Sequence, residues 1–292
     1  MSISNVTLFG ALASSITAVE QKIQQSQQDL ATGKQVNQPS DNPTAWEQSS
    51  VMTASESAIS NDVSLAGRVQ TRLSSADSAL SQAENAITSA IQTATQGSSG
   101  TIGASQMQGL AQSVQGLLSG VLNAANLQEL GSYVFGGIQT LTPPYSSVGV
   151  YSGATASNSA TFSNGTSVQE SFNGQAIFGD NTTGAIGALT SLGNALSAGN
   201  QSAVAATLPA LQSALQQLAS ARTTVGAGLG TLQTMVTNSN SQLTSLQGAQ
   251  SNLVDANVAQ VAATVQEQML QQGALVNLAT ELSKMPLVNV LA

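Results

Sequence analysis

The chain has 292 residues, of which only 7% are charged and 3% aromatic, and its net charge is −8. A globular chain averages about 25% charged residues, so this surface must be solvated by Ser, Thr, Gln and Asn, and six scattered bases on an acidic chain exclude nucleic acid as a partner. With neither histidine nor cysteine, disulfides, thiolate chemistry, histidine metal sites and Ser-His or Cys-His machinery are excluded; no catalytic residue, metal or cofactor is expected, and an enzyme is the class that fits least.

The first residues, Met1 to Ala13, have no basic n-region, and no apolar run approaches the ~18 residues of a membrane span. Any export is therefore expected to bypass a cleaved secretory signal. From Leu8 to Leu30, the residues Leu12, Ile16, Val19, Ile23, Ser26 and Leu30 recur at steps of four and three, which predicts an amphipathic helix with a narrow apolar stripe. Gly33 reads as its C-cap; Ala31-Thr32-Gly33-Lys34 lacks the upstream glycine and strand of a phosphate loop. After a proline-bearing bend, Asn42 can cap a new helix with Pro43 at its first position, or Thr44 and Glu47 can form a capping box two residues on.

That second helix carries two unbroken columns. One is Ile59, Ala66, Leu73, Leu80, Ile87 and Ala94; the other is Asp62, Val69, Ala76, Ala83 and Ala90. The alanine column lets a neighbour approach closely, and the Leu/Ile column supplies most of the burial, roughly 1.5–3 kcal/mol per fully buried side chain. Residues 97–103 break it. A third helix follows with Met107, Leu110, Val114, Leu117, Val121 and Ala124 on its stripe, ending near Gly131.

From Tyr133 to Asp180 most of the aromatics are gathered, and short runs at Ser147–Tyr151, Ala160–Phe162, Ser167–Phe172 and Ala176–Phe178 alternate with Gly and Asn turns, which predicts a small β-rich insert. Helix returns over Ala185–Leu196. A long spine then runs from near Ala205, with Leu211, Leu218, Val225, Leu232, Ser239, Leu246 and Leu253 in one column and Leu215, Arg222, Leu229, Val236 and Leu243 in the other. Such a seam demands a partner helix of similar length, and residues 59–94 offer it. A last amphipathic helix carries Val258, Val261, Val265, Leu275, Ala279 and Leu282, with Pro286 ending it before an apolar tail.

The expected fold is mainly α with a small β-rich insert, an elongated antiparallel helical bundle or coiled coil. Its parts are 1–40 (terminal helix and bend, pairing with 255–292), 41–132, the insert 133–182, 183–254 and 255–292. The termini are expected at one end of a rod and the insert at the other. Asp77 and Glu84, two turns apart, are too distant to share a proton. Arg222, the only charge between Asp180 and Asp255, either pairs with Asp77 or Glu84 or reaches along the seam edge to solvent.

Three stretches resemble a known family. Leu30 through Pro43, with Thr32, Gly33, Lys34, Pro39, Ser40, Asp41 and Pro43, is similar to a box of the bacterial flagellins, departing at Gln35 and Asn42. Ala125-Asn126 followed by Tyr133, Phe135, Gly137, Thr140, Pro143, Pro144 and Tyr145 resembles the hook–filament junction branch of that family, and so does Arg222 through Gly226. The resemblance implies a flagellin-like rod plus outer domain and a structural role: an adapter ring joining hook to filament, extracellular, exported unfolded by the flagellar type III route. It implies a homo-oligomer whose partners are the preceding hook-associated protein (FlgK-type), flagellin and a cytoplasmic export chaperone, with no membrane insertion. The stripe residues Leu12, Ile16, Val19, Ile23, Val258, Val261, Val265, Leu275 and Leu282 would form the assembly seam, folding as the ring forms. The alternatives are a flagellin filament subunit or, less fitting, a secreted coiled-coil translocator or adhesin.

Overall fold

The computed structural model describes residues 2–100 and 102–284, with side chains described for 7–100 and 102–283; Pro286 and the apolar tail lie outside the described residues. The elements in order are α1 (Ser2–Thr32), α2 (Pro43–Ser98), α3 (Ala104–Ala125), β1 (Gln128–Glu129), β2 (Ser132–Tyr133), β3 (Ser159–Thr161), β4 (Ser167–Gln169), α4 (Gly174–Phe178), α5 (Gly184–Ser197), α6 (Gln201–Val254) and α7 (Val258–Lys284). The fold is mainly α-helical, with two small antiparallel sheets, β1–β2 and β3–β4. It divides into two compact units: unit 1, Met1–Ser57 with Gln242–Ala292, and unit 2, Ala58–Ser241. Both boundaries fall inside helices, α2 and α6, rather than at the bends.

Unit 2 is built on the predicted α2 columns. Ala66, Leu73, Leu80, Ile87 and Ala94 are buried, as are Val69, Ala76, Ala83 and Ala90. Facing them are Leu211, Ala214, Leu218, Val225 and Leu232 of α6 in one continuous core. The pairing is antiparallel. A Cβ at Gly97 would lie 3.2 Å from Val204, Arg222 bonds Asp77 and Glu84, and a Cβ at Gly228 would lie 3.0 Å from Leu73. α3 folds back along α2, and α5 runs against α3, a Cβ at Gly193 lying 3.8 Å from Val114. Four antiparallel helices therefore close the end of the unit where Gly97 abuts Leu196.

The insert does not sit at that end, as a rod with the insert at its tip would require. Because α3 returns along α2 before the insert begins, the insert starts beside the middle of α2. Ser75 Oγ donates to Glu129 at 2.9 Å, Arg72 Nη2 to the Tyr133 carbonyl at 3.1 Å, and the Ser163 amide to Asp62 at 3.1 Å. Two further corrections concern secondary structure. Ala176–Phe178 is not a strand but part of α4, capped by Asn173, whose Oδ1 accepts the Ala176 amide. Ser147–Tyr151 forms no strand either; only an isolated Tyr145–Tyr151 bridge stands there. The third helix ends at Ala125 rather than near Gly131, because the Asn126 side chain leaves the helix for the Tyr145 backbone.

In unit 1, α1 and α7 lie antiparallel: Ser26 Oγ donates to Gln268 at 3.3 Å, and Gln272 Nε2 to Glu20 at 3.1 Å. Leu12, Val19, Ile23 and Val265 are buried between them. Among the described residues, no helix is long and apolar enough to cross a membrane.

Candidate assembly site

The bend that leads into α2 is held by its own polar side chains. Gly33, at φ +69°, ends α1 in the left-handed conformation, and Asn42 caps α2 by accepting the Ala45 amide at 3.1 Å. That settles the start of α2 in favour of Asn42-Pro43. Asp41 accepts the amides of Asn37 and Gln38 at 2.9 and 3.0 Å, and the Asn37 bond first of all holds its carboxyl below the ordinary range. Asn37 also donates to Asp29 at 3.0 Å, whose carboxyl is pushed upward chiefly by burial. Opposite the bend, the Gln35 amide donates to the Val254 carbonyl at 2.8 Å and the Ala256 amide to that of Gly33 at 2.8 Å. Val36, Ala45 and Val254 form a small apolar plug beneath. Of the first motif, Thr32, Gly33, Lys34, Asp41 and Pro43 thus build a joint, while Pro39 and Ser40 are exposed in its turn.

The second motif builds the insert rather than a binding pocket. Phe135 is fully buried and meets Phe178 edge-on at 4.9 Å and Phe172 at 6.1 Å. Tyr145 meets Tyr151 at a tilted 57° with ring centroids 5.1 Å apart and donates its hydroxyl to the Gly179 carbonyl at 2.9 Å; burial raises its phenol pKa far above the ordinary value. The Tyr133 amide donates to Thr140 at 2.7 Å, and the Ser152 side chain and amide to the carbonyls of Pro143 and Pro144 at 3.2 and 2.8 Å. Gly137, at φ +64°, has room for no side chain: a Cβ there would lie 2.2 Å from the Ala154 carbonyl.

Arg222 is paired, not snorkelling. Its Nε and Nη2 hold Asp77 at 2.9 and 3.3 Å and its Nη1 holds Glu84 at 2.8 Å, and these bonds raise its pKa, Asp77 first. The two carboxylates therefore share a cation rather than a proton. Gly226 has open space beside it, whereas Gly228, which sequence reading passed over, is where α6 meets Leu73 and Val168.

Exposed apolar side chains stand in both units: Leu130, Ile138, Leu141, Val148 and Val150 in unit 2, and a longer series along the helices of unit 1. Ile16, Val261, Leu275 and Leu282 of the predicted seam are half-buried, and Val258 is exposed. Leu8, Phe9, Trp46, Val51, Met269, Leu270, Val276 and Leu278 also stand out in solvent. The signal for the residues missed was available: Met269 and Val276, seven apart, flank the α7 seam. Among the described residues no cluster could hold a metal ion.

Residues 3–140, which carry α1, the bend, α2, α3 and the start of the insert, match the model of the bacterial flagellin N-terminal helical region. The chain is also similar to flagellar hook-associated protein 3: 36% identical over 121 residues to the Escherichia coli protein and 28% over 189 residues to the Salmonella typhimurium protein. Those alignments take in 41% and 64% of this chain and only 38% and 59% of the two relatives. The fold matches a flagellar junction protein, FlgL, of Legionella pneumophila with a TM-score of 0.59 at 15% identity, over 71% of this chain and 99% of that one.

Proposed function

We propose that the chain is a structural component of the flagellum, an adapter at the hook–filament junction. It forms a homo-oligomeric ring on a preceding hook-associated protein and offers the surface on which flagellin polymerises. The observation that supports this reading is the pair of terminal helices in unit 1, α1 and α7, which leave Leu270, Leu278, Val258 and Leu8 in water. Large apolar side chains held out to solvent along paired helices offer surface for association. The chain is exported unfolded with the help of a chaperone, and α1 and α7 acquire their full order on assembly, where intersubunit burial offsets the ordering entropy. In the free protein, amide exchange over residues 8–30 and 258–282 is expected to be fast; slow exchange there removes the coupling of folding to assembly.

Electron microscopy of cells lacking the protein tests the role itself. Hooks without filaments, with flagellin released to the medium, are expected; normal filaments overturn the junction reading. Seeded polymerisation separates the filament-subunit alternative, which alone predicts long homopolymers.

A further inference from the structure

Unit 1 carries a groove and a projecting side chain that cannot meet within one chain. The groove, about 370 Å³, lies where α2 begins and α6 ends, among Lys34, Val36, Trp46, Thr53, Gln250 and Val254. Its floor is the buried pair Val36 and Val254, and Trp46 stands 38% exposed at its rim. The Gln250 amide is already engaged by Ser49 and Thr53 at 3.1 and 2.9 Å. The Lys34 ammonium is free of ion pairs among the described residues, since both pairs found there belong to Arg222.

The projection is Leu270, 76% exposed. Val265, Gln268 and Gln272 mark the α7 face turned to α1, and at 100° per residue Leu270 and Glu267 fall on the opposite face. Glu267 is exposed one turn before Leu270 and belongs to neither ion pair. Leu270 stands twelve residues into a continuous helix from Val258, roughly 18 Å along its axis at ~1.5 Å per residue. No side chain spans that distance back to the groove.

We propose that the outer face of α7 in one copy docks into the bend groove of the next. Leu270 lies over the Val36–Val254 floor beside Trp46, and the Glu267 carboxylate meets Lys34. The occupant is a second copy of this chain because that one partner supplies both the apolar knob and the charge the groove lacks. The two sides of the contact differ, so it repeats head to tail, giving a ring where its rotation closes and an open helix where it does not. This rests on the ring reading above and adds to it which surfaces meet.

The chain has no cysteine, so introduced thiols have no competitors. In hook–junction structures isolated from cells carrying the full-length Ser50→Cys/Leu270→Cys variant, oxidation is expected to give a ladder of multimers on a non-reducing gel. Ser50 lines the groove. Protein present in those structures without a ladder overturns the contact, and so do dimers from Leu270→Cys alone, which would report α7 against α7. Protein absent from the structures overturns the ring reading and this contact with it. Independently, Lys34→Glu or Glu267→Lys is expected to lower incorporation about two- to fivefold at unchanged helicity, the range for an exposed pair, and the double exchange to restore it. Failure of the double exchange to restore incorporation also overturns the contact.

Discussion

From Ala66 to Ala94, the α2 columns of unit 2 are at most 2% exposed, and the facing Leu211, Leu218, Val225 and Leu232 are fully buried. In unit 1 the same two helices continue to pair, but through hydroxyls and an amide, Ser49 and Thr53 with Gln250, and Leu246 and Leu253 are only half-buried. The heptad period is shared; the filling is not. Alanine opposite leucine brings two backbones close and expels water along the α2–α6 seam of unit 2. Polar seam positions beside half-buried leucines leave the α2–α6 seam of unit 1 with less burial than that of unit 2.

The sharpest test of this contrast is a matched pair of truncations. Leu80→Ala in the fully buried column is expected to cost about 2–5 kcal/mol, because the cavity cannot collapse between helices this close. Ile16→Ala on the half-buried α1 stripe is expected to cost about 1 kcal/mol or less in the free protein. Denaturant titration of both variants measures the difference. Equal losses would break the comparison between the units.

Next in size is Arg222→Met. Removing the guanidinium leaves two carboxylates with no cation, one of them, Glu84, with a side chain only 17% exposed. The unfolding midpoint is expected to fall measurably, by less than for Leu80→Ala. An unchanged midpoint would mean that the pair sets neither register nor stability.

A smaller effect follows from Asp180, whose carboxyl is held at about 2 by hydrogen bonds from the Thr182 side chain, then the Thr182 amide and Thr183. The folded pKa lies below the unfolded value of ~3.9. Its contribution is therefore complete above about pH 4 and is lost as pH falls through 2. Being exposed, it is screened and modest. Thermal midpoints of the parent chain and Asp180→Asn are expected to differ at pH 6 and to converge near pH 2; a gap that persists at pH 2 would remove the carboxylate from the account.

Much of this was legible beforehand because helices in contact with helices obey one period. The columns of α2, the Leu211–Leu232 seam and the Gly33 stop follow from spacing, while for Arg222 spacing and charge left pairing and solvent exposure equally open. The insert resisted. Its strands are two or three residues long, too short to show alternation, and Phe178 reads equally well as strand or helix when its neighbours are Ala and Ile. What ties it together is long-range and polar, such as Asn126 to Tyr145 or Arg72 to the Tyr133 carbonyl, and no local period encodes such bonds. The exposed Leu270 escaped notice for a related reason: periodicity finds the seam a helix buries, not the single side chain it holds out to solvent.

The finest distinction lies between two glycines of α6. A Cβ at Gly226 would have nothing within 4 Å, while one at Gly228 would sit 3.0 Å from Leu73 and 3.5 Å from Val168. Alanine is the better helix former by about 1 kcal/mol, so Gly226→Ala is expected to stabilise by up to that amount. At Gly228 the same gain is offset by a contact that pushes on a fully buried leucine, and the net change is expected to be near zero or unfavourable. Paired denaturation curves decide it. If both substitutions stabilise equally, α2 and α6 are not packed as closely at Leu73 as their burial implies, and the claim that unit 2 is closed by backbone proximity fails at the place where it is most exposed to test.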